Sequence, residues 1–396
     1  MTLAALIAAY HEAEEPGAGL RATLPLAGRT LLERQARLAA SAGADPIVVA
    51  VERVPAELLA AIDRLRGEGL KLIVARTAAE AADSVHPGDR LLLVADGLVA
   101  GETHISRLLA LDGPAILTVP DVRVDDRYER IDAHSRWAGL ALIDGEMLKR
   151  TAAMLRDWDL QSTLLRRAVQ SGARQLSVRG EPADDQLIVA EHEDDLIELQ
   201  VRLFESAGGH RRDWVSRYLL APIERAATRA LMPTAFSPTM LSLAAALLTA
   251  LAALAFGWQW LWLGLLLLLV ATPLDGICER LAALRLQERS GTSWWAYLMP
   301  ALSAAALFVL ATALAETRGW GCIALAAAIA AFAVALQVEA AGRDVAGRVW
   351  LAERKGLAWL LLPFAATGYW ATGLAVLACY AGASFFWAQR QVHRMP

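Results

Sequence analysis

Hydrophobic and polar positions follow different patterns in the two halves of the chain. Up to about residue 204, short apolar runs alternate with charged segments. Residues 230–274 then contain no charged side chain, and uncharged runs recur at 290–315, 319–338 and 356–389. Each of these runs is long enough for one or two membrane-spanning helices. The pattern predicts an α/β domain followed by an all-α transmembrane domain.

The first half alternates candidate strands with segments of helical period, which 28–43 and 55–66 show. Such alternation is typical of an α/β fold with a mostly parallel sheet. Ligands bind such sheets outside the carboxyl ends of the strands. We expect the loop after the first strand and Asp96 to lie there. The candidate strands are 3–9, 46–51, 70–75, 91–95 and 115–120.

The apolar runs of the second half predict six membrane spans, and these spans set the domain boundaries. Residues 1–205 form the first domain and residues 233–396 the membrane domain. Between them, 206–232 is a linker with an amphipathic helix, since Trp214 and Tyr218 alternate with arginines in helical spacing. We expect this helix to lie on an anionic membrane surface. The spans are about 238–256, 260–275, 294–314, 319–338, 357–369 and 371–388.

Basic residues indicate the orientation of the spans. They collect before the first span, after the second, after the fourth and after the sixth, whereas the other short loops hold only Arg318. The positive-inside rule therefore predicts a multi-pass protein of the cytoplasmic (inner) membrane with both termini in the cytoplasm. The residues concerned are Arg225, Arg229, Arg280, Arg285, Arg289, Arg343, Arg348, Arg354, Lys355, Arg390 and Arg394.

Charge, cysteine spacing and the first residues of the chain argue against a nucleic-acid partner, a cysteine metal site and a signal peptide. A net charge of −4 argues against a nucleic-acid partner. Cys278, Cys322 and Cys379 all fall in the apolar half at no metal-ligand spacing, so they are interpreted as small core residues. Residues 1–10 are apolar but lack a basic leading segment, which favours a buried strand over a signal peptide.

Several short motifs of the first half occur in the same order as in a known protein family. They are Ala8-Ala9-Tyr10, Gly17 to Arg21, Pro25-Leu26 and Gly28-Arg29-Thr30-Leu31-Leu32-Glu33. This order resembles the sugar-nucleotidyltransferase (GT-A-like) domains. The resemblance implies a nucleotide site at Gly17, Gly19 and Arg21, with metal ligands at Asp96 and Glu191.

The loop of this half departs from the nucleotidyltransferase pattern. Tyr10 stands where the family has a glycine, although glycine lets backbone N–H groups approach phosphates. Glu12, Glu14 and Glu15 place negative charge where a triphosphate would bind, and the lysine of the family's P-K-P-L motif is missing. We therefore expect weak binding of CTP.

The stretch 265–291 carries the second resemblance. Its Asp275, Gly276 and Arg280 resemble part of the D-x-x-D-G-x-x-A-R pattern of the CDP-alcohol phosphotransferase family. Ser216-Arg217-Tyr218 and Pro222-Ile223 resemble the start of the membrane half in fused inositol-phosphate cytidylyltransferase/phosphotransferase proteins. The resemblance implies catalysis and metal binding at Asp275 and nucleotide binding at Gly276 and Arg280. It also implies an acceptor-phosphate site at Arg343 and Asp344.

Two registers of that signature are possible. In one, Asp275 is the second aspartate and Thr272 replaces the first; in the other, Asp275 is the first and Cys278 replaces the second. The family's next helix carries two further aspartates. The positions that would hold them are Trp295 and Met299 or, with a one-residue gap, Ala296 and Pro300.

Two hypotheses follow. Four carboxylates hold two divalent cations in the family, and one aspartate cannot replace them. The protein is then a catalytically silent membrane partner without a cofactor. Asp275 in that case caps or salt-bridges a helix at the membrane interface, and its loss leaves folding intact. Alternatively, Glu279 completes a single-metal site for Mg²⁺ or Mn²⁺ in an active enzyme of phospholipid or polyol-phosphodiester synthesis. The expected partners are membrane lipid, a CDP-alcohol or CTP, and a second copy or an active paralogue.

Overall fold

The structure is a computed structural model. It describes residues 2–14, 19–121, 127–155, 160–178, 187–206, 213–232, 234, 236–287, 293–340, 343, 345 and 347–393. The chain divides into two compact units, Met1–Ser206 and Ala207–Pro396.

The first unit is a layered α/β structure. Its strands are β1 (Leu3–Ala8), β2 (Pro25–Leu26), β3 (Arg29–Thr30), β4 (Ala44–Ala50), β5 (Leu72–Ala75), β6 (Arg90–Val94), β7 (Leu98–Val99), β8 (Ala115–Pro120), β9 (Ser135–Asp144), β10 (Arg174–Ser177) and β11 (Ile188–Val189). Its helices are α1 (Leu31–Ser41), α2 (Ala56–Gly67), α3 (Ala78–Asp83), α4 (Glu102–Leu109), α5 (Gly145–Ala152), α6 (Leu160–Gln170) and α7 (Glu193–Ser206).

Seven strands form the main sheet in the order β10-β8-β9-β6-β1-β4-β5. β6, β1, β4 and β5 pair in parallel, as do β10 and β8. The predicted α/β fold with a mostly parallel sheet is therefore confirmed. The sequence reading missed β9, which pairs antiparallel with both β6 and β8. Eight of its ten residues are buried in succession, but Arg136 and Gly139 interrupt the apolar residues, so the sequence lacks the continuous apolar run that marks β1.

Helix α1 is fixed by its first turn. The Thr30 hydroxyl accepts a hydrogen bond from the N–H of Glu33, and the Glu33 carboxylate accepts one from the N–H of Thr30 at 2.9 Å. The same carboxylate is fully buried and accepts two hydrogen bonds from Arg64 of α2, at 3.0 and 2.9 Å. Arg37 lies 3.3 Å from it. This carboxylate therefore joins α1 to α2.

The second unit is helical. It begins with a π-helical turn, Val215–Leu219, and a 3-10 turn, Arg348–Trp350, precedes the helix Arg354–Ala366. Its helices are α8 (Ala221–Leu231), α9 (Pro238–Gly257), α10 (Leu261–Leu284), α11 (Ser293–Arg318), α12 (Gly321–Glu339), α13 (Arg354–Ala366) and α14 (Trp370–Val392).

Five of these helices, α9, α10, α11, α12 and α14, are long and apolar enough to cross a membrane. The predicted fifth span, 357–369, differs. It coincides with α13, which has 13 residues and ends at Ala366 before a turn at Gly368. Thirteen residues extend about 20 Å, less than a hydrocarbon core of about 30 Å.

The bundle core is built from apolar side chains of α9 to α14, including Phe256, Leu310 and Leu374. Helices α9 and α10 approach closely at Gly264, where a Cβ would lie 2.5 Å from the Phe256 ring. At one end of the bundle the rings of Trp262 and Trp370 meet edge to face at 5.8 Å. The start of α10 and the start of α14 therefore lie together at that end.

Candidate functional site

In the first unit, Asp96 lies beside the loop that follows β1. Because β1 and β6 are parallel neighbours, their carboxyl ends meet at one edge of the sheet. The buried Asp96 carboxylate accepts hydrogen bonds there from the N–H groups of Tyr10 at 2.8 Å and His11 at 2.7 Å. It therefore holds the start of the loop that was expected to contact phosphates.

Glu191 reaches the same edge through a close backbone contact. The N–H of Ala190 donates to the carbonyl oxygen of Gly97 at 2.9 Å. Gly97 has φ of 71°, and a Cβ there would lie 2.4 Å from the Ala190 carbonyl oxygen, so only glycine fits. The Glu191 carboxylate then pairs with Arg21 at 2.7 Å. The structure brings Asp96, Glu191 and Arg21 together.

Several charged side chains at this edge of the sheet lie beside a side chain of the same chain that can carry the opposite charge. Arg21 is neutralised by Glu191, Arg53 lies 2.5 Å from the Glu12 carboxylate, and His192 lies 3.3 Å from that of Glu14. Gly19 has φ of 79°, which favours glycine. Gly17 lies outside the described residues.

The start of α7 supports Glu191. The Asp195 carboxylate accepts hydrogen bonds from the N–H groups of Glu191 at 3.0 Å and His192 at 3.1 Å. Burial alone would raise the pKa of Asp195, but these two hydrogen bonds and the charge of Arg127 lower it overall. Asp195 therefore stays ionised and fixes the backbone that presents Glu191.

In the second unit, Asp275 lies on α10 with 5% of its surface exposed. Its carboxylate accepts a hydrogen bond from the guanidinium of Arg354, the first residue of α13. Sequence reasoning assigned Arg354 only to topology, because nothing in the chain relates two positions 79 residues apart. Asp275 therefore makes a salt bridge between two helices, as expected, but its side chain is buried rather than exposed.

Gly276 and Arg280 meet a glutamate that sequence reasoning missed. A Cβ on Gly276 would lie 2.2 Å from a carboxylate oxygen of Glu224 on α8. Arg280 lies 3.5 Å from the other oxygen, and both charged side chains are almost inaccessible. A signal was available, because Leu220, Glu224 and Thr228 recur every four residues on one face of a helix. The structure buries all three.

Glu279 and Arg343, also predicted to belong to the site of the second unit, have surroundings that differ from those of Asp275. Glu279 is exposed whereas Asp275 is buried, so the two carboxylates of the predicted single-metal site have different surroundings. Arg343 donates to the Glu339 carboxylate at 3.2 Å and to its carbonyl oxygen at 3.1 Å. Asp344 lies outside the described residues.

The positions that the two registers align with aspartates of the CDP-alcohol phosphotransferases pack or bond within the helices. The Thr272 hydroxyl accepts a hydrogen bond from the indole of Trp359 at 3.0 Å, and the Cys278 thiol donates to the Pro238 carbonyl oxygen at 3.1 Å. Met299 belongs to a small apolar cluster with Ala245 and Ala246. In the part of the chain that the structure describes, no three His, Cys, Asp or Glu residues are placed to share a metal ion. These residues do not fit a two-metal centre.

No family model matches the chain, and no curated protein matches it. A solved structure that matches is from Bacillus anthracis, assigned as a glucose-1-phosphate thymidylyltransferase in complex with sucrose. Its identity to this chain is 10% and its TM-score is 0.39, with 50% of this chain and 94% of that chain covered. At that level the match adds nothing to what the strand order itself establishes.

Proposed function

We propose that this protein is a catalytically silent membrane relative of the CDP-alcohol phosphotransferases, joined to a nucleotidyltransferase-like unit. It belongs by descent to the synthesis of phospholipids or polyol phosphodiesters and acts as a partner that binds lipid, nucleotide or an active paralogue. The observation that supports this most directly is the ion pair between Asp275 and Arg354. A guanidinium there neutralises the carboxylate that the family uses to bind a divalent cation.

The remaining charges support the same proposal. A magnesium pair beside a pyrophosphate needs several carboxylate oxygens at fixed geometry. Glu224, which lies next to Gly276, is engaged by Arg280, and residues 290–315 contain no acidic side chain. In the first unit Arg21, the cation expected to bind phosphate, is engaged by Glu191. Arg21 in the first unit and Asp275 in the second, both predicted to bind ligands, thus each have a partner of opposite charge within the chain.

An active enzyme with a remodelled single-metal site is the second candidate. Asp275, Gly276 and Arg280 are kept on one buried stretch of α10, and Glu279 lies one turn from Asp275. Arg354 would have to leave Asp275 for a cation to bind.

Release of CMP from a panel of CDP-alcohols separates the two candidates. We expect no metal-dependent release by the purified protein with Mg²⁺ or Mn²⁺, while an active family member releases CMP in the same assay. The comparison includes Asp275→Asn and the double variant Asp275→Asn/Arg354→Gln, which removes both charges and leaves no buried ion unpaired. Elution profiles and melting in detergent establish that each variant is folded. Metal-dependent release that Asp275→Asn abolishes would establish the active enzyme.

A further inference from the structure

Two aromatic rings are stacked and exposed at one end of the helical unit. Tyr218 of the π-helical turn and Trp350 of the 3-10 turn have ring centroids 6.0 Å apart and planes inclined by 27°. Tyr218 is 59% exposed and Trp350 is 62% exposed, although each could bury a large apolar area. Exposed rings at the end of a membrane bundle are typical of side chains that lie at the depth of the lipid headgroups.

Hydrogen bonds to α14 fix the turn that carries Trp350. The Tyr380 hydroxyl of α14 donates to the carbonyl oxygen of Trp350 at 2.9 Å and is itself hydrogen-bonded to the Trp214 indole. The N–H of Ala352 donates to the Ser384 hydroxyl at 3.0 Å, and Ala352 is buried. The backbone that carries Trp350 is therefore fixed before anything binds, which limits the entropy lost on binding.

One arginine lies against the pair, and a second lies in the same turn as Trp350. The guanidinium of Arg217 lies 5.8 Å from the centroid of the Tyr218 ring, in range for a cation–π interaction. Arg348 belongs to the same short turn as Trp350, and its guanidinium donates to the Arg343 carbonyl oxygen at 3.4 Å. Arg225 and Arg229 of α8 are exposed at the same end.

The opposite end of the bundle provides the comparison. It also exposes large rings, as an interfacial aromatic belt would. Its connections between helices, all within the described residues, hold only Arg318 as a basic residue. Aromatic rings are therefore common to both ends, whereas rings combined with several arginines occur at one end. The exposed rings of the opposite end are Trp258, Trp260, Trp320 and Tyr369.

We infer that Tyr218, Trp350, Arg217 and Arg348 form a binding site for the headgroup of an anionic phospholipid. Aromatic rings of this kind settle at headgroup depth. A guanidinium fork matches the oxygens of a phosphate, and basic side chains beside a membrane are attracted to its anionic lipids. The site does not depend on the chemistry proposed for Asp275, since none of its four residues belongs to that ion pair.

Lipid retention by the full-length protein in a neutral detergent tests the site. Phosphatidylglycerol and phosphatidylcholine of matched chains are added, and bound lipid is counted by native mass spectrometry. We expect phosphatidylglycerol to be preferred, with each of Arg217→Gln and Arg348→Gln weakening its binding about fivefold. Trp350→Ala should also weaken it. The matched controls at the opposite end, Arg318→Gln and Trp320→Ala, should leave it unchanged.

Each other result overturns the inference. Equal binding of the two lipids by the wild-type protein would show that no anionic headgroup is selected. Equal losses for the control variants would mean general attraction to charge or the aromatic belt alone. Unchanged binding in the Arg217→Gln/Arg348→Gln double variant would place the lipid elsewhere. Displacement by millimolar inorganic phosphate would show an anion site rather than a lipid site. All the substituted side chains lie at the surface or in a turn, and elution profiles check that the variants remain folded.

Discussion

Buried carboxylates in both units are held by guanidinium groups. Glu33 is bound by Arg64 and lies beside Arg37, and Asp275 is bound by Arg354. Removing one partner of a buried pair leaves an uncompensated charge or an unsatisfied donor, which costs about 3–5 kcal/mol. These side chains are therefore structural in the first instance, whatever else they do.

Glu33 provides a test of this at the residue scale. Glu33→Gln keeps the shape but removes the charge that the arginines face, and we expect the first unit to lose about 3 kcal/mol of stability near neutral pH. The measurement is hydrogen exchange of peptides from α1 and α2 in the full-length protein. Asp63→Asn, an exposed acid of α2, is the matched control and should change the exchange little.

The same substitution makes a prediction about pH. Burial alone would raise the pKa of Glu33, but hydrogen bonds from Arg64 and the N–H of Thr30, with the charges of Arg64 and Arg37, lower it below its usual 4.5. A carboxylate with a lowered pKa stabilises the folded state above the unfolded pKa and loses that effect as pH falls through the folded pKa. The difference between wild type and Glu33→Gln should therefore be largest above about pH 5 and shrink toward about pH 3. A constant difference would contradict the assignment.

At the scale of elements, the polar segments of α10 and α13 lie at matching depth. Asp275 and Arg354 each lie about 20 Å along their helices from the end where Trp262 and Trp370 meet. Their ion pair therefore falls inside the thickness of a bilayer. The π-helical turn and α8 cover this polar region, with Asp213 against Gly356 and Glu224 against Gly276. This cover explains how a short helix and buried charges coexist in an apolar bundle.

Hydropathy predicted where most of these helices lie in the sequence, but not which helices pack against one another. The long apolar runs fix where α9, α10, α11, α12 and α14 lie, because a membrane span needs a continuous apolar stretch. Which charges meet depends on how helices pack, and apolar surfaces of similar composition carry little information about that. The sequence therefore indicated Asp275 as unusual without indicating Arg354 or Glu224 as the groups that surround Asp275 and Gly276.

Arg285 at the end of α10 tests the cover formed by α8. Its side chain is 2% exposed and donates to the carbonyl oxygens of Phe236, Thr234 and Met232, at 2.6, 3.1 and 3.2 Å. Arg285→Met would leave three carbonyl groups of the α8–α9 connection without this donor. Each unsatisfied group costs about 1–3 kcal/mol.

We therefore expect Arg285→Met to lower the melting temperature in detergent and to speed hydrogen exchange in peptides from α8. Arg285→Lys should restore only part of the stability, because an ammonium cannot reproduce the planar fork of donors. Arg225→Met on the exposed face of α8 is the control and should behave as wild type. Faster exchange in that control would mean that α8 is held by its exposed face instead.

At the scale of the whole molecule, the change in composition near residue 205 predicted the change from an α/β sheet to helices, since short buried strands and long membrane helices need apolar runs of different length. The sheet was predictable where apolar runs are short and bounded, as for β1, β4 and β6. It was not predicted at β9, where Ser135, Arg136 and Gly139 interrupt the apolar residues, so that 135–144 lacks the short bounded apolar run of β1. The arrangement of the helices in the membrane depends on charge as well as on hydropathy.

Reporter fusions test that arrangement, and the fusion after Gly368, at the end of α13, is the decisive one. If α13 crosses with the other helices, fusions after Trp258, Thr317 and Gly368 report the non-cytoplasmic side, whereas fusions after Arg289, Lys355 and Pro396 report the cytoplasm. We expect this result, because α13 and α14 begin at opposite ends of the bundle and α10 supplies Asp275 to neutralise Arg354 within it. The short length of α13 is then offset by Asp213 and Trp214, just before the π-helical turn, which lie against Gly356 near its start. A cytoplasmic signal after Gly368, with Thr317 still non-cytoplasmic, would mean that α13 enters the membrane and returns without crossing. A cytoplasmic signal after Thr317 would contradict the order of all the spans.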